Sequence, residues 1–260
     1  LKSGIDLTNL DNSVRPADDF YQYACGGWMK KNPLPAAYSR YGSFDQLGES
    51  SNKRVNAILK DLQSNTYPAG STEQKLSDFY KLAMDSVRRN KEGVKPLMPL
   101  INEMESAKTV ADLRALQLKH ATFGYGMPMS AGFGADQKNA KENIMTIYQG
   151  GLALGQKEYY LDSDSATTAI REAYKKHVVR MFKLFGFSEA DAQKKMENIL
   201  KIETALAKVS KSNTELRDVE ANYNKMTLQQ FESNYPNINL TKYLNAQGVK
   251  SEYIQHLMVG

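Results

Sequence analysis

The stretch from Asp18 to Leu47 constrains the fold of this chain more than any other. It contains the only Cys, the only Trp, a Gly-Gly pair and two prolines. Apolar side chains recur within it at a spacing of four, which predicts one face of a short helix: Phe20, Ala24 and Trp28. Gly26 and Gly27 lie inside that helix, where they lower its stability, so we expect another stretch of backbone to come very close. The prolines that follow predict where the helix ends.

The second half of this stretch supplies the candidate binding residues. Arg40 carries a planar guanidinium group that can hold a carboxylate through two parallel hydrogen bonds. Asp45 would orient that group if the chain turned at Gly42. Composition alone favours a simpler interpretation, in which both are ordinary surface residues of a loop.

Several segments carry a family resemblance in the expected order along the chain. The first is D-D-F-Y-Q-Y-A-C-G-G-W, followed by S-R-Y-G-S-F-D-Q-L. The later ones are K-L-S-D-F-Y-K-L-A-M-D at 75–85, G-L-A-L-G-Q-K-E-Y-Y-L at 151–161 and Y-N-K-M-T-L at 223–228. On these segments the chain resembles the N-terminal part of the neprilysin family of zinc endopeptidases, which includes the endothelin-converting enzymes and bacterial oligopeptidase O.

The resemblance implies a part of a larger, two-lobed metallopeptidase. Residues 1–47 would pack on a catalytic lobe supplied by the C-terminal half, and 48–260 would be the first part of a helical lid lobe. Arg40 would bind the free C-terminal carboxylate of short peptides on the primed side, with Asp45 beside it. Gly48 stands where some relatives have a second arginine, and this departure leaves the subsite preference open.

The zinc chemistry of such enzymes needs H-E-x-x-H, in which two His bind the metal and the Glu activates water. The three His of this chain are His120, His177 and His256, and none is followed by Glu. His177 falls on an apolar stripe, which predicts a hydrogen-bonded core residue. We therefore assign no catalytic residue and no metal ligand to this chain, and the implied zinc would be bound by the C-terminal half.

The remaining sequence predicts a mainly α fold: a multi-helix lobe with a small β-hairpin insertion at about 123–150. Pairs at capping-box spacing predict four helix starts: Ser71 with Gln74, Thr109 with Asp112, Ser188 with Asp191, and Thr227 with Gln230. In the hairpin, apolar runs flank a long polar connection at 135–143. Its glycines (124, 126, 132 and 134) would serve strand bends and close packing on helices.

Composition narrows the function classes further. The net charge of +5 comes from 34 basic and 29 acidic residues, and this small excess is scattered apart from short clusters such as 87–91 and 175–180, which argues against a nucleic-acid partner. No apolar run reaches eighteen residues, so we expect no membrane span. Cys25 has no partner for a disulfide within the chain. Two states stay open for it: a buried thiol on the aromatic helix, and a disulfide to a distant C-terminal Cys, which only the resemblance implies. The chain stops at Gly260 without a change of composition, which suggests that it is cut rather than finished.

Two functions are compatible with these features. The first is the N-terminal portion of a zinc metalloendopeptidase that hydrolyses short peptides, contributing the lid and the carboxylate clamp. Its partners would be peptide substrates and the C-terminal catalytic half, on the same or a separate chain. The alternative is a non-catalytic helical module that binds peptides or a partner without cutting. The resemblance implies export to the cell envelope or periplasm, and a cytoplasmic location stays open.

Overall fold

The computed structural model of the protein describes residues 4–123 and 129–260. The chain divides into two units, Leu1–Lys91 and Glu92–Gly260. No helix among the described residues is both long enough and apolar enough to cross a membrane. The division of roles between 1–47 and 48–260 concerns the lobes of a larger protein and stays a prediction.

The first unit is helical. Its helices are α1 (Phe20–Lys31), α2 (Ser43–Asp61), α3 (Thr72–Met84) and α4 (Ser86–Glu92, which runs just past the unit boundary). The Asp19 side chain caps α1 by accepting a hydrogen bond from the backbone N–H of Gln22 at 2.9 Å. The helix ends at Lys31, one residue before Asn32-Pro33, as predicted. Cys25 on α1 is half-buried and carries a free thiol.

The Gly-Gly pair of α1 does meet another backbone, and that backbone belongs to the same unit. A Cβ added to Gly27 would lie 2.5 Å from the Thr8 carbonyl oxygen and 2.7 Å from that of Leu10. A Cβ added to Gly26 would lie 2.7 Å from the Asp11 Cβ. The close approach is therefore confirmed. Its partner is the segment before α1, which occupies this face of the helix.

Asp11 fastens this segment to α1. Its side chain is 7% exposed, and its carboxylate accepts hydrogen bonds from Lys30 Nζ at 2.8 Å and Gln22 Nε2 at 3.1 Å. Its backbone N–H donates to the Tyr23 carbonyl at 2.7 Å. The hydrogen bond from Lys30, with further ones from Ser13 and Gln22, holds the pKa of Asp11 well below its usual range.

The second unit combines helices with a small sheet. The helices are α5 (Met98–Ser106), α6 (Val110–Lys119), α7 (Glu158–Leu161), α8 (Ser165–Leu184), α9 (Glu189–Val209), α10 (Leu228–Asn234) and α11 (Leu240–Ala246). The strands are β1 (Met129–Asp136), β2 (Asn139–Gln149), β3 (Asn224–Thr227) and β4 (His256–Val259). Over both units, side-chain caps form at all four predicted helix starts: Ser71 in the first unit, and Thr109, Ser188 and Thr227 in the second.

The strands form one sheet in the order β1-β2-β4-β3. β1 pairs with β2 and β3 pairs with β4 in antiparallel fashion, whereas β2 and β4 are parallel. One face of the sheet packs on α10 and α11 and forms a core: Met145, Ile147, Phe231, Leu240, Leu244, Ile254 and Leu257. A mainly helical fold with a β-hairpin is therefore confirmed.

Two details of the predicted hairpin were wrong. The polar residues expected in a long connection extend both strands instead, and only Gln137 and Lys138 lie between β1 and β2. Within the described residues, neither Gly132 nor Gly134 packs on a helix. A Cβ added to Gly132 would meet only the Tyr148 ring, at 3.7 Å, and a Cβ added to Gly134 would meet no atom within 4 Å. Gly124 and Gly126 lie outside the described residues.

Two buried carboxylates join separate segments of this unit. Asp136, 1% exposed, accepts hydrogen bonds from Lys225 Nζ at 2.7 Å and the Tyr223 hydroxyl at 2.9 Å, and the bond from Lys225 lowers its pKa to about 2. Glu203 on α9 accepts from the hydroxyls of Tyr174 at 2.9 Å and Tyr160 at 3.1 Å. Such satisfied networks fix one arrangement of the groups they join.

Candidate substrate-binding site

The candidate site lies on the loop between α1 and α2, in the first unit. α1 ends where Asn32-Pro33 and Leu34-Pro35 force extended backbone, and α2 begins at Ser43. Arg40 lies three residues before α2, and its side chain is exposed. No hydrogen bond or ion pair engages it within the part of the chain that the structure describes. Its five donors are therefore free to receive a carboxylate.

Asp45 has a different local task from the one that the sequence suggested. It is the third residue of α2, and its Oδ2 accepts a hydrogen bond from the backbone N–H of Gly42 at 2.8 Å. This bond satisfies a donor at the helix start and places a negative charge in the first turn, both of which stabilise the helix. Asp45 does turn the chain at Gly42, but among the described residues no bond links it to Arg40. The substrate-binding roles of Arg40 and Asp45 stay predictions.

The loop around Arg40 is held by a carboxylate that the sequence did not single out. Glu49, one turn further along α2 than Asp45, accepts hydrogen bonds from the Tyr38 hydroxyl at 2.9 Å and the Tyr41 hydroxyl at 3.1 Å. The two rings meet edge to face with centroids 5.2 Å apart. Because Tyr38 and Tyr41 flank Arg40, the backbone beneath it is anchored on both sides.

Ionisation at this anchor fits the hydrogen bonds. The bond to Glu49 raises the pKa of the Tyr38 hydroxyl, and burial, followed by the same carboxylate, raises the pKa of Tyr41. Both hydroxyls therefore remain protonated donors at neutral pH. Trp28 of α1 lies next to Tyr41, with ring centroids 6.2 Å apart, and Gln46 of α2 donates to the Asn32 side chain. These contacts join the ends of α1 and α2 around the loop.

A sequence reading had little means of finding Tyr38, Tyr41 and Glu49. Tyrosines are common in loops that contain proline, and Glu49 lies among other polar residues of α2, so neither residue type stands out in the sequence. Only the turn of the chain at Gly42 brings this carboxylate back over the loop. The signal that existed was the density of aromatic residues in the loop.

No metal centre is found among the residues that the structure describes: no group of three or more His, Cys, Asp or Glu side chains could hold an ion. His120 Nε2 lies 3.0 Å from Glu103 Oε2 at the end of α6, and His256 is exposed on β4. His177 is also exposed, with Nδ1 3.1 Å from Arg180 Nη2. The prediction of a core position for His177 was wrong, because the buried stripe of α8 runs through Val178 beside it.

The comparison with known families decides the identity. The model of the N-terminal part of peptidase family M13 matches residues 16–260. The chain belongs to peptidase family M13. The resemblance to the neprilysin type is thereby confirmed.

Relatives of this M13 chain include endothelin-converting enzyme 1 of Rattus norvegicus and of Homo sapiens. The rat enzyme is 33% identical over 248 residues, with 92% of this chain and 32% of the enzyme covered. The human enzyme is 32% identical over 247 residues, with 92% of this chain and 31% of the enzyme covered. The chain thus spans about a third of the length of these relatives.

Solved M13 structures share the fold. The zinc metalloprotease Zmp1 of Mycobacterium tuberculosis, crystallised with an inhibitor, matches with a TM-score of 0.86 at 26% identity and covers 99% of this chain and 39% of that one. PepO of Lactobacillus rhamnosis matches with a TM-score of 0.75 at 22% identity, over 95% of this chain and 38% of that one. Among residues 4–123 and 129–260, no group of side chains fits a zinc ion.

Proposed function

We propose that this chain is the N-terminal portion of a zinc metalloendopeptidase that hydrolyses short peptides. Membership of family M13 supports the peptidase, and the zinc would be held by the C-terminal catalytic half, on the same or a separate chain. Residues 1–47 would pack on that half, and 48–260 would begin the lid lobe over the active site. The family resemblance also favours export to the cell envelope or periplasm.

The observation that carries the binding role is the state of Arg40. Its guanidinium group is exposed and without a partner in the described structure, while the loop on both sides of it is anchored through Tyr38 and Tyr41 to Glu49. An anchored backbone lowers the entropy lost when the side chain binds a ligand. An unpaired guanidinium group on an anchored backbone suits a peptide C-terminal carboxylate, which accepts two parallel hydrogen bonds from it. Asp45 keeps the helix start and the turn at Gly42 in place beside it.

The test is a comparison of substrates in the complete protein that carries this chain. Arg40→Ala is expected to raise KM roughly 10- to 100-fold for short peptides with a free C-terminus, which is the usual worth of hydrogen bonds to charged groups. The same peptides with an amidated C-terminus should change little. Arg40→Lys, which keeps the charge and loses the fork, should fall between the two.

Arg54→Ala is the matched control, because Arg54 is exposed on α2 and its substitution removes the same charge from the same unit. It should leave both KM values unchanged. An equal rise of KM for free and amidated peptides in Arg40→Ala would remove Arg40 from the carboxylate role.

Zinc content separates the peptidase from the alternative of a non-catalytic peptide-binding module. We expect the 260-residue chain alone to bind less than stoichiometric zinc, and the complete protein to bind about one zinc per chain with a working site. A complete protein that bound free-carboxylate peptides through Arg40 without zinc and without cleavage would favour the binding module.

A further inference from the structure

The sheet of the second unit leaves one long edge open. β1 lies at the end of the strand order and pairs on one side with β2, in regular register from Met129 to Ala135. Within the described ranges, 4–123 and 129–260, no backbone hydrogen bond reaches its other side. That side therefore presents a row of backbone donors and acceptors to any strand that approaches.

From Met129 to Ala135, β1 carries none of the features that usually protect an open edge, and a register shift of the β-bulge kind occurs only between Ala135 and Asp136. Its sequence, M-S-A-G-F-G-A-D, contains no Lys, Arg or Pro, and its one charge, Asp136, is buried against Tyr223 and Lys225. The opposite edge is different, because β3 has only four residues, includes Lys225, and uses the Asn224 side chain to bond the Val259 carbonyl at 3.0 Å. Folded proteins normally guard open edges with charge, proline or short length. This sheet guards one edge and not the other.

Contacts within the described part of this unit do not explain the glycines of β1. Among those residues, no atom lies within 4 Å of a Cβ added to Gly134, a Cβ added to Gly132 would have only a loose contact with Tyr148, and neither glycine has a positive φ. Glycine in a strand interior weakens the strand. Where it persists without internal crowding, it is typical of a place that another backbone or a ligand approaches closely.

A cavity adjoins the start of the open edge. It has a volume of about 240 Å³ and lies between β1, β2 and α11, with a largely apolar lining: Met129, Ala131, Met145, Ile147, Leu240 and Tyr243. Gln247 also contributes to the lining and is held by a bond to the Ala121 carbonyl at 3.1 Å. Two residues beyond Ala131, on the same face of β1, the Phe133 ring is 61% exposed.

We propose that the outer edge of β1 binds an extended peptide segment as an added strand, with one aliphatic side chain in the cavity between β1 and α11. Side chains of an added strand alternate between faces, so every second one turns towards α11. One of these enters the cavity, and the next on that face reaches Phe133. The backbone bonds supply affinity and the cavity selects the side chain, which is how strand addition works elsewhere. This site uses neither Arg40 nor a metal, so it stands independently of the proposed peptidase function.

The test uses the 260-residue chain and a labelled heptapeptide, Thr-Ser-Thr-Leu-Thr-Ser-Thr, with acetylated and amidated ends so that no terminal charge takes part. Binding is followed by fluorescence anisotropy. Replacing the central Leu with Ala should weaken binding roughly tenfold, because most of the side chain leaves the cavity.

Two further peptides test the backbone bonds. Each is N-methylated on alternate amides, one on the odd positions and one on the even positions. An added strand turns only every second N–H towards β1, so one peptide should lose at least roughly tenfold in affinity and the other should bind nearly as well as the parent. Equal binding by both N-methylated peptides would overturn the proposal.

Ala131→Lys places a charge at the exposed mouth of the cavity and should abolish binding. Asn143→Lys is its control, since it adds the same charge to an exposed position of the same hairpin away from the cavity. Far-ultraviolet circular dichroism checks that both variants fold. Unchanged peptide binding in a folded Ala131→Lys variant would contradict the proposal.

Sedimentation at several concentrations tests the rival occupant. Suppose that the chain forms a dimer, that Ala131→Lys dissociates it into monomers, and that the chain binds none of the peptides. These results together would assign the edge to a second copy and refute peptide binding.

Discussion

Replacing either of two helical glycines with alanine should change the stability of the first unit in opposite directions. At Gly27 of α1, an added Cβ would lie 2.5 Å from the Thr8 carbonyl oxygen and 2.7 Å from that of Leu10, where ordinary contact begins at 3.4 Å. Both neighbours are backbone atoms, so the segment before α1 would have to shift as a whole. At Gly48 of α2, no atom of the described residues lies within 4 Å of the added atom.

The magnitudes follow from two opposing terms. Alanine is better than glycine in a helix interior by about 1 kcal/mol, which favours both substitutions. Forcing an extra carbon into a filled space costs about 1–3 kcal/mol, and this cost applies only at Gly27. Gly48→Ala should therefore stabilise the unit by up to about 1 kcal/mol. Gly27→Ala should destabilise it by up to about 2 kcal/mol, which is the overpacking cost less the helix gain.

The assay is urea unfolding followed by the fluorescence of Trp28, which is the only Trp of the chain and lies on α1 in this unit. The signal therefore reports the first unit without a contribution from the second. Limited proteolysis before α1 provides an independent measurement, since a displaced segment is cut faster. If Gly27→Ala stabilised the unit as much as Gly48→Ala, the close approach of the two backbones would be wrong.

Two further predictions concern buried carboxylates. Asp11→Asn should make the first unit less sensitive to acid: the pKa of Asp11 is lowered in the folded state, chiefly by Lys30, so its stabilisation is present above about pH 4 and lost as pH falls below that. Urea titrations of both proteins at neutral and acid pH should show the wild type losing more stability on acidification, and parallel losses would contradict this. Glu203→Gln should destabilise the second unit by roughly 1–3 kcal/mol, because an amide cannot accept from the hydroxyls of Tyr160 and Tyr174 as the carboxylate does. The same substitution should lower the pKa of Tyr160, which burial and then the charge of Glu203 raise to about 12. An ultraviolet titration of the tyrosines that was the same in both proteins would refute the contribution of that charge.

Local signals predicted much of the helical part of this fold. The caps at Ser71, Thr109, Ser188 and Thr227 were found from sequence because a capping side chain bonds a backbone N–H only three residues away. The β1–β2 hairpin was found for the same reason, since its strands are adjacent in the sequence. Its length was misjudged because the polar residues at 139–143 lie in a strand with exposed side chains.

Long-range pairings were not predictable in this way. β3 and β4 have four residues each, too short to show a period, and β4 pairs with a strand more than a hundred residues earlier. The same limit applies at the candidate site. The family resemblance nominated Arg40 and Asp45 as binding residues, and their roles stay predictions. The bonds of Glu49 to Tyr38 and Tyr41 had no such signal, because they depend on how the loop folds back over α2.

The position of β4 in the sheet has a consequence for synthesis of the protein. β4 lies between β2 and β3, so the sheet cannot close until His256–Val259 have left the ribosome. At usual elongation rates of ~5–20 residues per second, the β1–β2 hairpin waits roughly 5–20 seconds for that strand. Throughout this interval the side of β2 that will receive β4 is unpaired. Nascent chains therefore expose a second open edge during this interval, the inner edge of β2, and a holding chaperone bound there would prevent wrong strand pairing.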